Sequence, residues 1–490
     1  MELHWVWMSV ATLLASYVLL NKFVRRLNGW YYDLKLGNKQ SLLPPGDMGW
    51  PLIGNMIPFI KVLSSGQLDS FINNFVSKYG RSGIYKTHLF GKPSMIVCAP
   101  EMCRQVLNDD ENFKLAYPKS VSELLGSNTS TGVFNVEHKR LRRVVSVPIM
   151  GQNMLAMYLA RIEEIVIDSL EELSSIKHPV EIFKELEKIT FKVITYVFFG
   201  SHNQPIVAKV KDLFREFSDC NPLFSVPINL PGFTYHKALQ VRKKLLKVVI
   251  SGVGERRLMR KKGQLNDEKD FIDILLEDKR ENGEELEDEQ IADIVIGLLF
   301  VGHESTATGL MWSLMYLTLH PDVFRKAKQE QEEIVKARPP SQKHLSHSEV
   351  KQMVYLSQVI NEVLRLTNIS FAIFREATAD VNVKGYIIQK GWKVLVWLRA
   401  IHMNPEYYPN PKEFNPSRWD NYNATAGTFL PFGGGSRLCP GKDISNLETT
   451  IFLHYFLLNY RLEIMNSKSH VPNFSFSYPK DLAKVIKVSS

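Results

Sequence analysis

Leu3–Leu20 carries apolar side chains on every face: the run LHWVWMSVATLLASYVLL is interrupted only by His4 and a few small polar residues. A run of 18 residues comes close to the roughly 20 that a membrane-spanning helix needs. Lys22, Arg25 and Arg26 follow at once, while no basic region precedes the run and no small-residue cleavage site closes it. That flank predicts an uncleaved anchor over residues 1–28 that leaves residues 29–490 in the cytosol. A cleaved signal peptide and a buried helix are the competing readings. Next, Pro44–Gly54 (PPGDMGWPLIG) predicts a semi-rigid elbow, since proline fixes φ and glycine permits tight turns. Its composition suits a plain linker equally.

Beyond the elbow, apolar positions mostly recur at helical spacing, over Phe71–Tyr79, Ala156–Leu173, Phe183–Phe198, Leu239–Lys262 and Ser348–Leu366. Gly83–Val97 predicts two strands around Gly91-Lys92-Pro93, and Val381–Trp397 a further pair turning near Lys390-Gly391. From Arg256 to Asp288 charge dominates, as in a solvated connection between helical halves. A proline-free segment from about Glu287 to Leu319, closed by Pro321, predicts a helix roughly 50 Å long. Within it, Ile294–Val301 is apolar on nearly every face and should be buried all round. Gly302-His303-Glu304-Ser305-Thr306 follows directly, and such polar groups are costly inside a buried helix unless something uses them.

Composition narrows the chemistry. The 490 residues are 45% hydrophobic and 11% aromatic, enough for a large core and an apolar ligand. Their net charge of +9 suits an anionic membrane surface or an acidic protein partner. No Lys/Arg-rich tract with interleaved aromatics occurs, so nucleic acid is not an expected partner. The four cysteines, Cys98, Cys103, Cys220 and Cys439, form no CxxC pair and no zinc spacing, which suits a reducing compartment. Four N-x-[ST] sequons are chance matches if the body is cytosolic.

The segment Phe432-Gly433-Gly434-Gly435-Ser436-Arg437-Leu438-Cys439-Pro440-Gly441 matches the haem-thiolate pattern FxxGxRxCxG at every fixed position. Its glycines let backbone amides approach the sulfur and stabilise a thiolate, and Arg437 can pair with a haem propionate. A buried structural cysteine in a turn would leave the arginine and the glycine density unexplained. Upstream, Glu362-Val363-Leu364-Arg365 reads ExxR, with both charges on one helix face. Phe414-Asn415-Pro416-Ser417-Arg418-Trp419 follows.

With these motifs in this order the chain resembles the cytochrome P-450 superfamily, from the anchor to the C-terminus. The resemblance implies a mainly α fold with small β-sheets, a long central helix over the haem and a preceding transmembrane helix. It implies haem b with Cys439 as axial ligand to the iron, and Phe432 and Arg437 in the cofactor loop. Arg142, His138 (where tryptophan is usual) and Arg375 align with propionate-binding positions. Glu362, Arg365 and Arg418 align with a structural triad. Val301–Thr306 resembles the oxygen-activation motif, so Glu304, Ser305 and Thr306 take the proton-relay positions. Val301 departs from a small residue and should crowd the space above the iron; Ser305 departs from threonine. Substrate contacts fall on roughly 112–134, Ile296, Leu299, Phe300, 370–374 and 474–476, all of which suit core positions as well. Leu223–Phe233 is either an apolar lip in the bilayer or a buried loop.

The implied activity is insertion of one oxygen atom from O2 into a C–H bond of a lipophilic substrate. Electrons would come from NADPH–cytochrome P-450 reductase, because the chain has no flavin or dinucleotide motif, and the implied location is the endoplasmic reticulum membrane. Stretches such as GHESTAT and FREATADVNVKGYIIQKGWKVLVW look like plant members acting on polycyclic terpenoids. A beta-amyrin-type triterpenoid oxidised at C-11 is the leading substrate, and ent-kaurenoic acid is the alternative. A haem-thiolate isomerase or dehydratase, or a non-catalytic haem sensor, would share the fold without the reductase.

Overall fold

The apolar run at the N-terminus belongs to a single helix, α1 (Glu2–Leu36). The computed structural model describes residues 2–36, 42–126, 140, 142–146, 149, 152–200, 204–220, 227–264, 270–279, 283–420, 425–465 and 482–488. The fold is mainly helical with small sheets. It divides into two compact units: residues 1–116, 370–411 and 424–436 form unit 1, and residues 117–369, 412–423 and 437–490 form unit 2.

In unit 1, Leu13, Leu14, Tyr17, Leu19, Leu20 and Phe23 of α1 are all exposed. The last turns of the same helix are seated in the body instead. Asn28 donates from Nδ2 to the carbonyls of Met48 (2.7 Å) and Trp50 (3.2 Å). Arg25 pairs with Asp47 and reaches Asn55 Oδ1 at 3.2 Å, and Asp33 pairs with Lys86 at 3.0 Å. The elbow is therefore a built seat and not a plain linker. Gly54, at φ +62°, is required there, because a Cβ would run into the carbonyl of His88.

The seat borders a six-stranded sheet made of β1 (Gly46–Asp47), β2 (Ile84–Leu89), β3 (Lys92–Val97), β4 (Phe113–Leu115), β5 (Ile373–Ala377) and β8 (Lys393–Val396), in the order β1-β2-β3-β8-β5-β4. The predicted pair over Val381–Trp397 is corrected. β6 (Val381–Val383) and β7 (Tyr386–Ile388) form the hairpin, turning at Lys384-Gly385, while β8 joins the larger sheet beside β3 and β5. Lys384 and Gly385 both take positive φ (52° and 89°), which is what a two-residue hairpin turn demands.

Unit 2 is helical: α2 (Gln152–Ser175), α3 (Ile182–Phe199), α4 (Gln204–Asp219), α5 (Thr234–Lys261), α6 (Phe271–Glu277), α7 (Asp288–Leu319), α8 (Pro321–Ala337), α9 (Val354–Thr367) and α10 (Lys442–Asn459). The predicted helix over Ser348–Leu366 is in fact two, His347–Gln352 and α9, broken at Met353. Glu330 on α8 causes the break: its carboxylate accepts from the amides of Tyr355 (2.6 Å) and Leu356 (2.9 Å), satisfying the free N–H groups of a new N-terminus.

The central helix α7 is long and apolar enough to cross a membrane, but 67% of its apolar window is buried, so it is a core helix. The charged stretch Arg256–Asp288 is not a solvated connection. Arg256 on α5 reaches Asp270 (2.6 Å) and Asp273 (2.8 Å), both nearly buried, and these cap α6 by a reciprocal box. Burial and the neighbouring Asp273 push the Asp270 carboxyl up to about 7. A carboxyl whose pKa is raised on folding stabilises the fold while protonated and loses that contribution as pH climbs past its unfolded value toward its folded one. Thermal stability should therefore fall as pH rises from about 3.8 to about 7, and Asp270→Asn should flatten that slope. An unchanged melting-temperature profile in the variant would refute the assignment.

Candidate functional site

Three of the four cysteines use their thiols as weak donors to nearby carbonyls: Cys98 to Gly83 (3.4 Å), Cys103 to Val97 (3.4 Å) and Cys220 to Glu216 (3.3 Å). Burial pushes all three up, Cys98 to about 12, so they stay protonated and inert. Cys439 differs. Burial raises its thiol too, but the Gly441 amide, the Arg142 guanidinium and the Lys442 amide all oppose the rise. Its sulfur therefore accepts where the others donate. Gly441 leaves it room, since a Cβ there would stand 3.9 Å from Sγ.

Arg142 donates to the carbonyl of Leu438, next to the sulfur. Its pKa is lowered by burial and by repulsion from Arg437, while Cys439 opposes the drop. Two guanidinium groups repelling one another beside a half-buried thiol form a donor set suited to an iron-bound thiolate and anionic carboxylates. The residues present thus fit the haem that the motif implies.

The polar stretch of α7 reaches the helix that follows Cys439. Thr306 donates to the Gly302 carbonyl (2.8 Å) and to Ser445 Oγ (3.2 Å) on α10, six residues past Cys439. Ser305, one position earlier, donates to the Val301 carbonyl at 2.7 Å. Ile296, Leu299 and Phe300 are core residues, yet Val301 is 44% exposed in the middle of the same helix. The expectation of burial all round through Val301 is thus corrected: Val301 is an exposed position within an otherwise mostly buried helix. His303 lies buried against the rings of Phe191 and Phe214, and burial lowers it to about 4, so it is neutral. Glu304 is half-buried and its carboxyl is raised by burial.

The ExxR and FxPxR segments come together around one carboxylate. Glu362 and Arg365 are both 0% exposed. Arg365 donates from Nε (2.9 Å) and Nη2 (2.8 Å), and Arg418 donates from Nε (2.9 Å). The Asn415 amide (3.1 Å) and Trp419 Nε1 (3.0 Å) complete the set. The last two donors were missed by pattern reading, although tryptophan stands at the aromatic position that ends the segment.

Other expected residues are placed by unit. Phe432 and Arg375 lie in unit 1. The turn carrying Phe432 is held by the Leu430 amide on His402 Nε2 (2.9 Å) and by the Gly433 amide on the Leu430 carbonyl (3.0 Å). Gly435 packs so close to the Leu107 carbonyl that a Cβ has no space. Arg375 is buried on β5. His138, residues 127–134, residues 223–226 of the apolar lip and residues 474–476 lie outside the described residues.

The chain is similar to known proteins over most of its length. The family profile for cytochrome P-450 matches residues 44–486. Beta-amyrin 11-oxidase of Glycyrrhiza uralensis is 64% identical over 493 aligned residues, covering 100% of both chains. Ent-kaurenoic acid oxidase 2 of Arabidopsis thaliana is 47% identical, covering 95% of this chain and 94% of its own. The solved structure of retinoic acid-bound cyanobacterial CYP120A1 superposes with a TM-score of 0.79 at 27% identity, over 91% of this chain and 99% of that one.

Glu362→Ala should strand a buried Arg365 and cost about 3–5 kcal/mol in urea unfolding. Trp419→Phe removes one bond to a charged acceptor and should cost about 1.5–3 kcal/mol. Equal losses for the two variants would contradict the central place given to the carboxylate.

Proposed function

The chain belongs to the cytochrome P-450 family, and from that premise we propose that it oxidises a polycyclic triterpenoid of the beta-amyrin type at C-11. The observation that carries this reading is the 64% identity to beta-amyrin 11-oxidase over the full length of both chains. The 47% identity to an ent-kaurenoic acid oxidase makes oxidation of a diterpenoid acid the second reading. In family chemistry, one atom of O2 enters a C–H bond and the other leaves as water, with two electrons and two protons consumed.

The family and its fold bring haem with an axial cysteine thiolate; when bound, that group activates O2, the thiolate favouring O–O cleavage. Cys439 is the cysteine we assign, supported by the amides that converge on its sulfur. Arg142 and Arg437 take the propionates, whose negative charge relieves their mutual repulsion. Val301, exposed on α7, sets the ceiling over the reacting carbon. Ser305 and Glu304 hold and move protons. Ser305 must first release the Val301 carbonyl, and the burial-raised Glu304 carboxyl keeps a proton to give.

Residues 1–28 act as the anchor and 29–490 as the catalytic body. The exposed apolar side chains of α1 support a single span, with the body on the cytosolic face of the endoplasmic reticulum. NADPH–cytochrome P-450 reductase supplies the electrons.

Microsomes carrying the chain and a plant reductase should convert beta-amyrin to an oxygenated product by gas chromatography–mass spectrometry, only with NADPH. Oxidation of ent-kaurenoic acid alone would move the enzyme to the second reading. Cys439→Ser should abolish the red-shifted Soret band of the reduced carbon monoxide complex, and its persistence would overturn the ligand assignment.

A further inference from the structure

The start of α10 serves the sulfur of Cys439 with its own backbone. Gly441 caps the helix without a side chain, so the N–H groups at this end are free for partners outside it. Two of them, the amides of Gly441 and Lys442, hydrogen-bond to the sulfur. Such bonds last only while the turn keeps its place. The Ser445 amide closes that turn by donating to the Gly441 carbonyl at 2.9 Å, and the Lys442 amide donates to the Cys439 carbonyl at 3.4 Å.

The side chain of Ser445 ties the same turn to the core helix. It is half-buried where α10 packs against α7, and its Oγ accepts from Thr306 Oγ at 3.2 Å. Thr306 is buried and has one hydroxyl proton with two acceptors in reach, the second being the Gly302 carbonyl at 2.8 Å. The hydroxyls of Ser305, Thr308, Ser313 and Thr318 each bond the carbonyl four residues earlier. Among the described residues, Thr306 is the one α7 hydroxyl of this set that also reaches another helix. Back-bonding alone would satisfy it, as it satisfies the rest. What the bond to Ser445 adds is a polar pin between α7 and the turn that carries the two amides.

We propose that Ser445 is a positioning residue for the thiolate: pinned to Thr306, it holds the first turn of α10 so that the Gly441 and Lys442 amides stay on the Cys439 sulfur. Amide hydrogen bonds draw charge from a ligand sulfur and raise the potential at which its iron takes up an electron. With the pin removed, those bonds loosen, the sulfur donates more charge, and the oxidised form is favoured. Ser445 acts through the backbone of its own turn and not on the reacting atoms. The inference rests on the assignment of Cys439 as the axial ligand.

The test is a spectroelectrochemical titration of the full-length, haem-loaded, substrate-free protein, with no reductase and no turnover. Ser445→Ala should move the reduction equilibrium on the order of tenfold toward the oxidised form, a potential about 59 mV more negative. Thr306→Val should move it in the same direction, while Thr306→Ser, which keeps the hydroxyl, should hold the wild-type potential. Ser445→Ala combined with Thr306→Val should go no further than either alone, because both remove one bond. All of these variants should keep the red-shifted Soret band of the reduced carbon monoxide complex, since the thiolate remains. A wild-type potential in Ser445→Ala would overturn the inference, and so would fully additive shifts in the double variant. If Ser445→Ala loses the band, Thr306→Val decides: a negative shift there supports the pin, and a wild-type potential overturns it. Persistence of the band in Cys439→Ser would instead overturn the ligand assignment beneath the inference.

Discussion

Burying a carboxylate with no access to water is tolerable only if hydrogen bonds replace its hydration. Glu362 meets that condition with five donors from Arg365, Arg418, Asn415 and Trp419. The need for so many donors is what pins the 413–419 segment onto α9. Both arginines also reach the Glu413 carbonyl, Arg365 at 3.2 Å and Arg418 at 3.4 Å. The stack of Phe414 on Tyr316 carries the same constraint to the C-terminal half of α7. One ionised group thus coordinates a helix, an irregular segment and the core helix α7.

Along α7 the hydroxyls obey a common rule. Ser305, Thr306, Thr308, Ser313 and Thr318 each donate to the carbonyl four residues earlier. This back-bonding satisfies polar groups inside an apolar helix without help from neighbours. It also sets a resting state in which Ser305 is occupied. Availability of that hydroxyl is then a question of local competition between the helix carbonyl and any other acceptor.

Features with fixed local spacing were legible in the sequence. The cysteine loop, the ExxR pair and the long helix each depend on residues a few positions apart, and the structure places them in the expected elements. Features created by distant partners were not. The break at Met353 depends on Glu330 from another helix, and nothing in Ser348–Leu366 announces it. Arg256, Asp270 and Asp273 read as a solvated charge run because their neutralisation requires α5 and α6 to meet. The hairpin turn was misplaced for a different reason: Lys390-Gly391 and Lys384-Gly385 are the same dipeptide, and only strand pairing selects between them. The exposure of Val301 was hidden too, because apolar periodicity cannot distinguish a packed position from an exposed one.

The seating of α1 bears on how the molecule can be cut. Arg25, Asn28, Tyr32 and Asp33 belong to the apolar helix by sequence and to the body of unit 1 by contact. A shortened chain starting at residue 29 would lose Arg25 and Asn28, leaving Asp47 and the carbonyls of Met48 and Trp50 without those donors. A chain starting at Lys22 would drop most of the greasy surface and keep the plug in its socket.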